Sequence, residues 1–405
     1  MARRIVIVGG GAAGFFAAIT CAEANAQHEV ILVEKAARFL GKVKISGGGR
    51  CNVTHACFDP KLLAEHYPRG ERELRGPFAA FSPHDTIAWF EKRGVKMYTQ
   101  DDGCLFPVSD DSQTIIDCFV NAATRAGVQL RASCGVERAA CVADGSGFEL
   151  TLTGGEKIVS DRVMLATGGA RNAAMAQLAM DLGHTIVDPV PSLFTVHIDV
   201  AWVRELAGIV VPDVEVSAPG QNLRERDIIL FTHWGLSGPV ILRVSAWGAR
   251  KLHDARYRFP LIVNWLPDQD VAAELDRRRN ESPAKLVVNT PIAPLQARLW
   301  EALAAASGLP RETRWAELSR AAQHKLVQQL TRTELPVSGK SMNKEEFVTC
   351  GGVKLSEVNF KTMESRVTRG LYFAGELLDI DGITGGFNFQ ACWTTGWLAG
   401  NAMAS

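Results

Sequence analysis

The chain has 405 residues, and its 44 lysines and arginines cancel its 44 aspartates and glutamates. Hydrophobic residues at 47% and charged residues at 22% are ordinary globular composition, which excludes collagen, coiled coil and disorder for the chain as a whole. Balanced charge argues against a nucleic-acid partner, whose affinity comes largely from a basic surface.

Met1-Ala2-Arg3-Arg4 leads into an apolar run too short for a signal peptide, and no stretch approaches the ~18 apolar residues of a membrane-spanning helix. Nine scattered cysteines without a Cys-x-x-Cys pair point to reduced thiols in a cytosolic protein. Cys51 and Cys57, beside His55, are too irregular for a zinc set. The expectation is a cytoplasmic, metal-free protein with no membrane partner.

Ile5-Val6-Ile7-Val8 is a short apolar run bounded by glycines, which suits a buried parallel strand. It runs into Gly9-Gly10-Gly11-Ala12-Ala13-Gly14, which contains G-x-G-x-x-G, and residues 15–24 read as an alanine-rich helix. A second strand, 30–33, ends on Glu34 and Lys35. The three glycines of the fingerprint serve different ends. Gly9 permits the tight turn, Gly11 lets the backbone approach a pyrophosphate, and Gly14 allows close helix–strand packing. The helix start offers free N–H groups to phosphates, and Glu34 can accept hydrogen bonds from ribose hydroxyls. Strand, glycines, helix, strand and acid in register identify a dinucleotide site.

Further along, Gly47-Gly48-Gly49 cannot sit inside a helix or strand without a high entropy cost. They suit a loop whose amides face a ligand, with Arg50 able to pair with pyrophosphate charge. Residues 163–166 read as a strand entering Thr167-Gly168-Gly169, and 371–374 as a strand closed by Gly375-Glu376. A helix is expected from about Asn388 to Ala402, preceded by Gly385 and Gly386. A helix start there offers free N–H groups to negative charge placed against it, worth ~1 kcal/mol.

Taken in order, these segments resemble the two-dinucleotide-binding flavoproteins, and specifically the bacterial BaiN/RdsA-type NAD(P)/FAD-dependent oxidoreductases, a family with aminoacetone-oxidase-like members. The resemblance rests on Gly41-Lys42, residues 46–54, Phe106-Pro107-Val108-Ser109, Ala166-Thr167-Gly168-Gly169 and residues 231–239. Gly351-Gly352-Val353, residues 371–376, Asp381-Gly382 and Gly385-Gly386-Phe387-Asn388 complete it. It implies non-covalent FAD, held along Ser46, Gly47, Gly48, Arg50, Cys51 and Asn52 as well as the fingerprint. It also implies backbone hydrogen bonds from Val136 to adenine, and cofactor contacts at Ala12, Ala13, Lys35, Gly41, Lys42, Ala166, Thr167, Gly168, Gly375, Glu376, Asp381, Gly385, Gly386, Phe387 and Asn388. His55, Cys104 and Phe387 stand where Asn, Arg and Tyr are commoner in the family.

The fold class expected is α/β: a Rossmann-like FAD-binding domain of the glutathione-reductase type, built from 1–190 and 346–405. An inserted β-barrel-like domain takes 191–267 and 331–345, and a helical subdomain 268–330. Within the insert, strands are expected at 194–198, 214–217, 228–231, 240–244, 259–263 and 334–337. Helices are expected at 271–279, 295–306 and 315–330.

No second G-x-G-x-x-G follows, so either NAD(P)H visits as a transient co-substrate beside the flavin or the substrate itself delivers the hydride. Flavin N5 carries the hydride, which leaves the protein to orient substrate and manage protons. His233, in a glycine-rich loop, is the acid/base candidate. Cys51 reads as a packing residue rather than a redox thiol. The function expected is NAD(P)H-linked reduction of a C=C or ketone in a small apolar molecule. The alternatives are an amine or aminoketone oxidase that makes peroxide, and a flavoprotein that acts on or binds nucleic acid. No G-x-S-x-G elbow supports a hydrolase.

Overall fold

The run at 5–8 is apolar on both faces because it lies in the middle of a parallel stack. In the computed structural model, which describes residues 2–143, 145–170, 173–341 and 348–405, strand Arg4–Val8 pairs in parallel with Glu29–Val33 on one side and Arg162–Leu165 on the other. Gln129–Arg131 extends the sheet beyond Glu29–Val33, and Leu371–Phe373 extends it beyond Arg162–Leu165, both in parallel. Two short antiparallel strands, Glu364–Ser365 and Val358–Asn359, complete seven. Burial on both faces is what makes these strands continuous hydrophobic runs rather than alternating ones.

The chain divides into two compact units, Met1–Pro191 with Lys344–Ser405, and Ser192–Asn343. The domain boundary expected at 345 and 346 lies outside the described residues. In the first unit, helix Ala12–Ala24 is buried from Ala13 to Ala22, because the sheet covers one side and helix Phe387–Ala404 the other. Small residues set that second contact: a Cβ at Gly396 would lie 2.7 Å from the Ala13 carbonyl oxygen, and one at Gly400 2.6 Å from that of Ala17. Phe16, Phe90, Phe119 and Trp393 form an aromatic core beside the pair, with Phe119 stacked on Trp393 at 5.3 Å. A three-stranded antiparallel sheet, Val136–Cys141, Phe148–Leu152 and Lys157–Ser160, adds a further layer. Its middle strand alternates, with Phe148, Leu150 and Leu152 buried, as a one-sided sheet requires.

The second unit is a closed six-stranded antiparallel barrel of Val196–Ile198, Gly235–Ser237, Leu223–Thr232, Val210–Ala218, Phe259–Asn264 and Thr333–Lys340. The helices of this unit between 268 and 331 are Val271–Glu281, Ala297–Ala306 and Arg320–Thr331. The last begins later than the sequence pattern suggests, because the Ser319 side chain caps it by accepting from the Ala322 N–H. One expected strand is a helix: 240–244 lies inside Pro239–Trp247. Gly238, at φ +93°, breaks the preceding strand, and Pro239 supplies the φ of a first helical turn. Val240, Ile241 and Val244 then share a buried face at helical spacing, so tertiary burial overrides their β preference.

The fold class anticipated from sequence is therefore the one found. All nine cysteines are free thiols. Among the described residues, no helix is long and apolar enough to cross a membrane.

Within the first unit, His184 ties the outer strand Glu364–Ser365 to the segment that follows residue 183. It is 5% exposed, with Nε2 2.7 Å from Ser365 Oγ and its ring edge-on to Phe373. Burial pushes its pKa down, with Glu357 partly opposing. A depressed histidine is neutral in the fold, so its contribution is complete above the unfolded pKa of about 6.5 and is lost as pH falls through the lower folded value. Thermal melts at pH 7.5 and pH 5 should show a larger loss on acidification for the wild type than for His184→Gln; equal losses would contradict this.

Candidate functional site

At the carboxyl ends of the parallel strands, backbone meets backbone. Gly9 has φ +113°, and a Cβ there would lie 2.3 Å from the Ala166 carbonyl oxygen. A Cβ at Gly14 would lie 1.9 Å from the Gly9 carbonyl oxygen. Gly11 differs, because its Cβ would meet nothing within 4 Å. Gly11 is also the N-cap of helix Ala12–Ala24, and no side chain caps that helix. Its first amides, including those of Ala12 and Ala13, therefore take no side-chain cap and stand at the positive end of the helix.

Glu34 stands beside this turn. One of its oxygens accepts from the Gly10 N–H at 2.8 Å and the other from the Ala36 N–H at 2.7 Å. Each oxygen keeps a lone pair for a further donor. Lys35 is exposed, and its stem runs alongside Gly135. The Glu34 carbonyl accepts from the Cys134 N–H at 2.7 Å, which brings buried Val136, at the start of its strand, to the same end of the site.

Strand Arg162–Leu165 delivers Ala166, Thr167 and Gly168 to the glycine turn. The Thr167 hydroxyl is buried and has no hydrogen-bond partner among the described residues. Gly168 has φ +76° and open space where a Cβ would stand. Gly375 packs on Ala13 and donates its N–H to Thr395 Oγ1 at 3.0 Å. Glu376 accepts from the Thr349 N–H at 2.9 Å and pairs with Lys42, which brings the start of helix Gly41–Ile45 onto the same strand end.

Residues 46–52 form a tight turn rather than an open loop. Gly47 and Gly48 are left-handed, and Ser46 Oγ donates to the Val43 carbonyl at 2.9 Å. The Arg50 guanidinium lies 4.1 Å over the Phe106 ring and 3.9 Å from Asp110. Cys51 is completely buried, and burial pushes its thiol up to about 12, which keeps it protonated and unreactive. With its amide oriented by its neighbours, Asn52 donates to the Thr54 carbonyl at 3.0 Å and accepts from the Gly386 N–H at 3.2 Å.

That last bond joins this turn to the start of helix Phe387–Ala404, which has Gly386 as an uncapped N-cap and Gly385 before it. Phe387 is 1% exposed and packs on His66 at 4.4 Å and His55 at 4.7 Å between centroids. Its carbonyl accepts from the Tyr67 hydroxyl at 2.5 Å. Asn388 is used internally: its side chain accepts from the Gly382 N–H and donates to the Gly382 carbonyl, both at 2.9 Å. Asp381 is completely buried and pairs with Arg69. Their side chains shape the loop from within.

Thus the structure brings together Gly9 to Gly14, Glu34, Ala166 to Gly168, Lys42, Asn52, Gly375, Glu376, Gly385 and Gly386 in one unit. His233 belongs to the other unit, exposed on the turn between Leu223–Thr232 and Gly235–Ser237, where its ring makes no hydrogen bond among the described residues. Sequence reasoning missed His66-Tyr67-Pro68-Arg69-Gly70 altogether; a dense polar–aromatic run closed by glycine was its one signal. An uncapped helix start with open room at Gly11, a buried hydroxyl without a partner among the described residues and a second uncapped helix start fit an extended dinucleotide such as FAD.

A family model described as HI0933-like protein Rossmann domain matches residues 3–402. Over 402 residues the chain is 31% identical to a ribosomal RNA dihydrouridine synthase of Escherichia coli, covering 97% of this chain and 96% of the relative. It is 27% identical over 417 residues to a 3-dehydro-bile acid delta(4,6)-reductase of Clostridium scindens, with 99% of each chain covered. Among solved structures, a 3-ketosteroid delta1-dehydrogenase from Sterolibacterium denitrificans superposes with a TM-score of 0.54 at 12% identity, covering 100% of this chain and 99% of that one. That likeness is one of fold.

The glycines separate folding from ligand binding. Gly11→Leu points into open space, so the apoprotein should melt within a few degrees of wild type while FAD affinity falls at least 100-fold. Gly14→Leu forces helix and strand apart and should destabilise the apoprotein itself. Melting curves and flavin titrations of the two apoproteins check this; equal flavin affinity in Gly11→Leu would contradict the open-space assignment.

Proposed function

The chain belongs to the HI0933-like Rossmann family of FAD-dependent oxidoreductases, and we propose that it saturates a carbon–carbon double bond conjugated to a carbonyl. One observation carries the proposal: two relatives matched over nearly the whole chain have names that describe one bond chemistry on different molecules. Dihydrouridine is uridine with its ring C=C, conjugated to a ring carbonyl, reduced. A 3-oxo steroid nucleus with 4,6 unsaturation presents the same conjugation.

When bound, FAD supplies at N5 the hydride that it takes from NAD(P)H. The chain's own residues hold and bias it. In this reading, the amides at Gly11, Ala12 and Ala13 take the pyrophosphate, Glu34 the ribose hydroxyls and Val136 the adenine edge. Thr167 and Gly168 line the middle of the site, with Lys42 and Glu376 opposite. Ser46, Gly47, Gly48 and Arg50 close over the second half, and Asn52 fixes the Gly386 amide. The start of helix Phe387–Ala404 stabilises negative charge placed against it by about 1 kcal/mol. The single fingerprint supports a nicotinamide that visits the site and leaves.

For the substrate, a flat ring in a small apolar molecule is the first reading, supported by the zero net charge of the chain. A uracil of ribosomal RNA is the second, supported by the 31% identity to the Escherichia coli relative. Both predict that NADPH or NADH, mixed anaerobically with the yellow protein, bleaches its visible absorbance. A 3-oxo-4,6-diene steroid should then restore the colour and be recovered two hydrogens heavier; restoration by unmodified ribosomal RNA alone would select the second reading. Bleaching by amines only, with peroxide on admitting air, would contradict both.

A further inference from the structure

We infer that His66 is the proton donor of the reaction, an inference that rests on the reading of the chain as a C=C reductase. Everything about this residue except one nitrogen is fixed. Its carbonyl accepts from the Ile383 N–H at 3.0 Å, which ties it to the loop that carries Gly385 and Gly386. Its Nδ1 lies 2.9 Å from the Leu62 carbonyl oxygen. A carbonyl can only accept, so Nδ1 carries a hydrogen and Nε2 is the nitrogen that gains and gives a proton. The half-buried ring lies 11° from parallel with Phe387, the first residue of the C-terminal helix. Nε2 makes no hydrogen bond among the described residues.

The flanking bonds hold this arrangement: Tyr67 donates to the Phe387 carbonyl, and Arg69 pairs with the buried Asp381. The His55 ring lies 6.1 Å from that of His66 between centroids, Glu65 and Tyr67 flank it in the chain, Cys57 interacts with Tyr67, Asp59 and Glu65, and Arg69 pairs with Asp381. Burial raises both the Cys57 thiol and the Tyr67 hydroxyl, so neither competes as an anion near neutrality. An imidazole whose tautomer, face and backbone are all held is preorganised for one transfer.

The step balances. Hydride, originating from NAD(P)H, forms a C–H bond at the β-carbon while the π pair moves toward the α-carbon and carbonyl oxygen. The Nε2–H bond of the imidazolium then breaks, and its proton bonds to the α-carbon. The neutral imidazole is reprotonated from water, and NAD(P)⁺ is the oxidised product.

His66→Asn tests this in the holoenzyme. The variant should keep its flavin, yet its reduced form should reoxidise with the accepted unsaturated substrate at least 10²-fold more slowly, with partial rescue by added imidazole. Independently of turnover, ¹⁵N NMR of the histidine rings in the apoprotein, assigned by the signal missing in His66→Asn, should report the Nδ1–H tautomer. Full-rate reoxidation of His66→Asn, an Nε2–H tautomer, or loss of the step in His233→Asn instead would overturn the inference. A wild-type protein that reduces no conjugated C=C would overturn the functional reading first, and this one with it.

Discussion

The site depends on how closely the first and last helices approach. Helix Ala12–Ala24 and helix Phe387–Ala404 meet through glycine, alanine and threonine, with Gly396 over the Ala13 carbonyl and Gly400 over that of Ala17. Neither position has room for a Cβ, so backbone packing sets the separation. Gly375 repeats the device at the mouth, against Ala13 and Cys392. As a result, two helix starts contributed by opposite ends of the chain belong to one rigid layer. A dinucleotide needs that arrangement, because its phosphates and its ring system lie too far apart for one loop to serve both.

Charge is distributed with the same economy. The carboxylates expected at the ligand are already partly committed: Glu34 to the Gly10 and Ala36 amides, Glu376 to Lys42 and the Thr349 amide, Asp381 to Arg69. Breaking a buried pair such as Arg69 with Asp381 leaves an uncompensated charge, so it acts as a fastener for the loop before Gly385. Backbone amides and helix dipoles at the two helix starts remain uncommitted by these pairs. Cys51, completely buried in the glycine turn, stays protonated and adds no charge of its own.

Where backbone must approach backbone or ligand, sequence shows it, because glycine is the residue that can stand there. Gly9 and Gly14 were legible for that reason, against the Ala166 and Gly9 carbonyls, as was Gly386 against the Thr54 backbone. The parallel strands were legible as unbroken apolar runs. The stretch at 240–244 was not, since β-branched residues carry no mark of the Gly238 and Pro239 turn that starts a helix around them. His66 was invisible for a different reason: its significance comes from Phe387 and Ile383, more than three hundred residues later, and no local pattern encodes a contact of that span. Asp381 shows the reverse case, a motif residue whose side chain turns inward to Arg69.

Hydrogen exchange of the apoprotein with and without FAD addresses the central claim directly. Binding across both chain ends predicts slower exchange at the amides of residues 10–15 and, in the same titration, at those of 385–390. Protection confined to one of these segments, or to neither, would contradict a cofactor held jointly by the two helix starts.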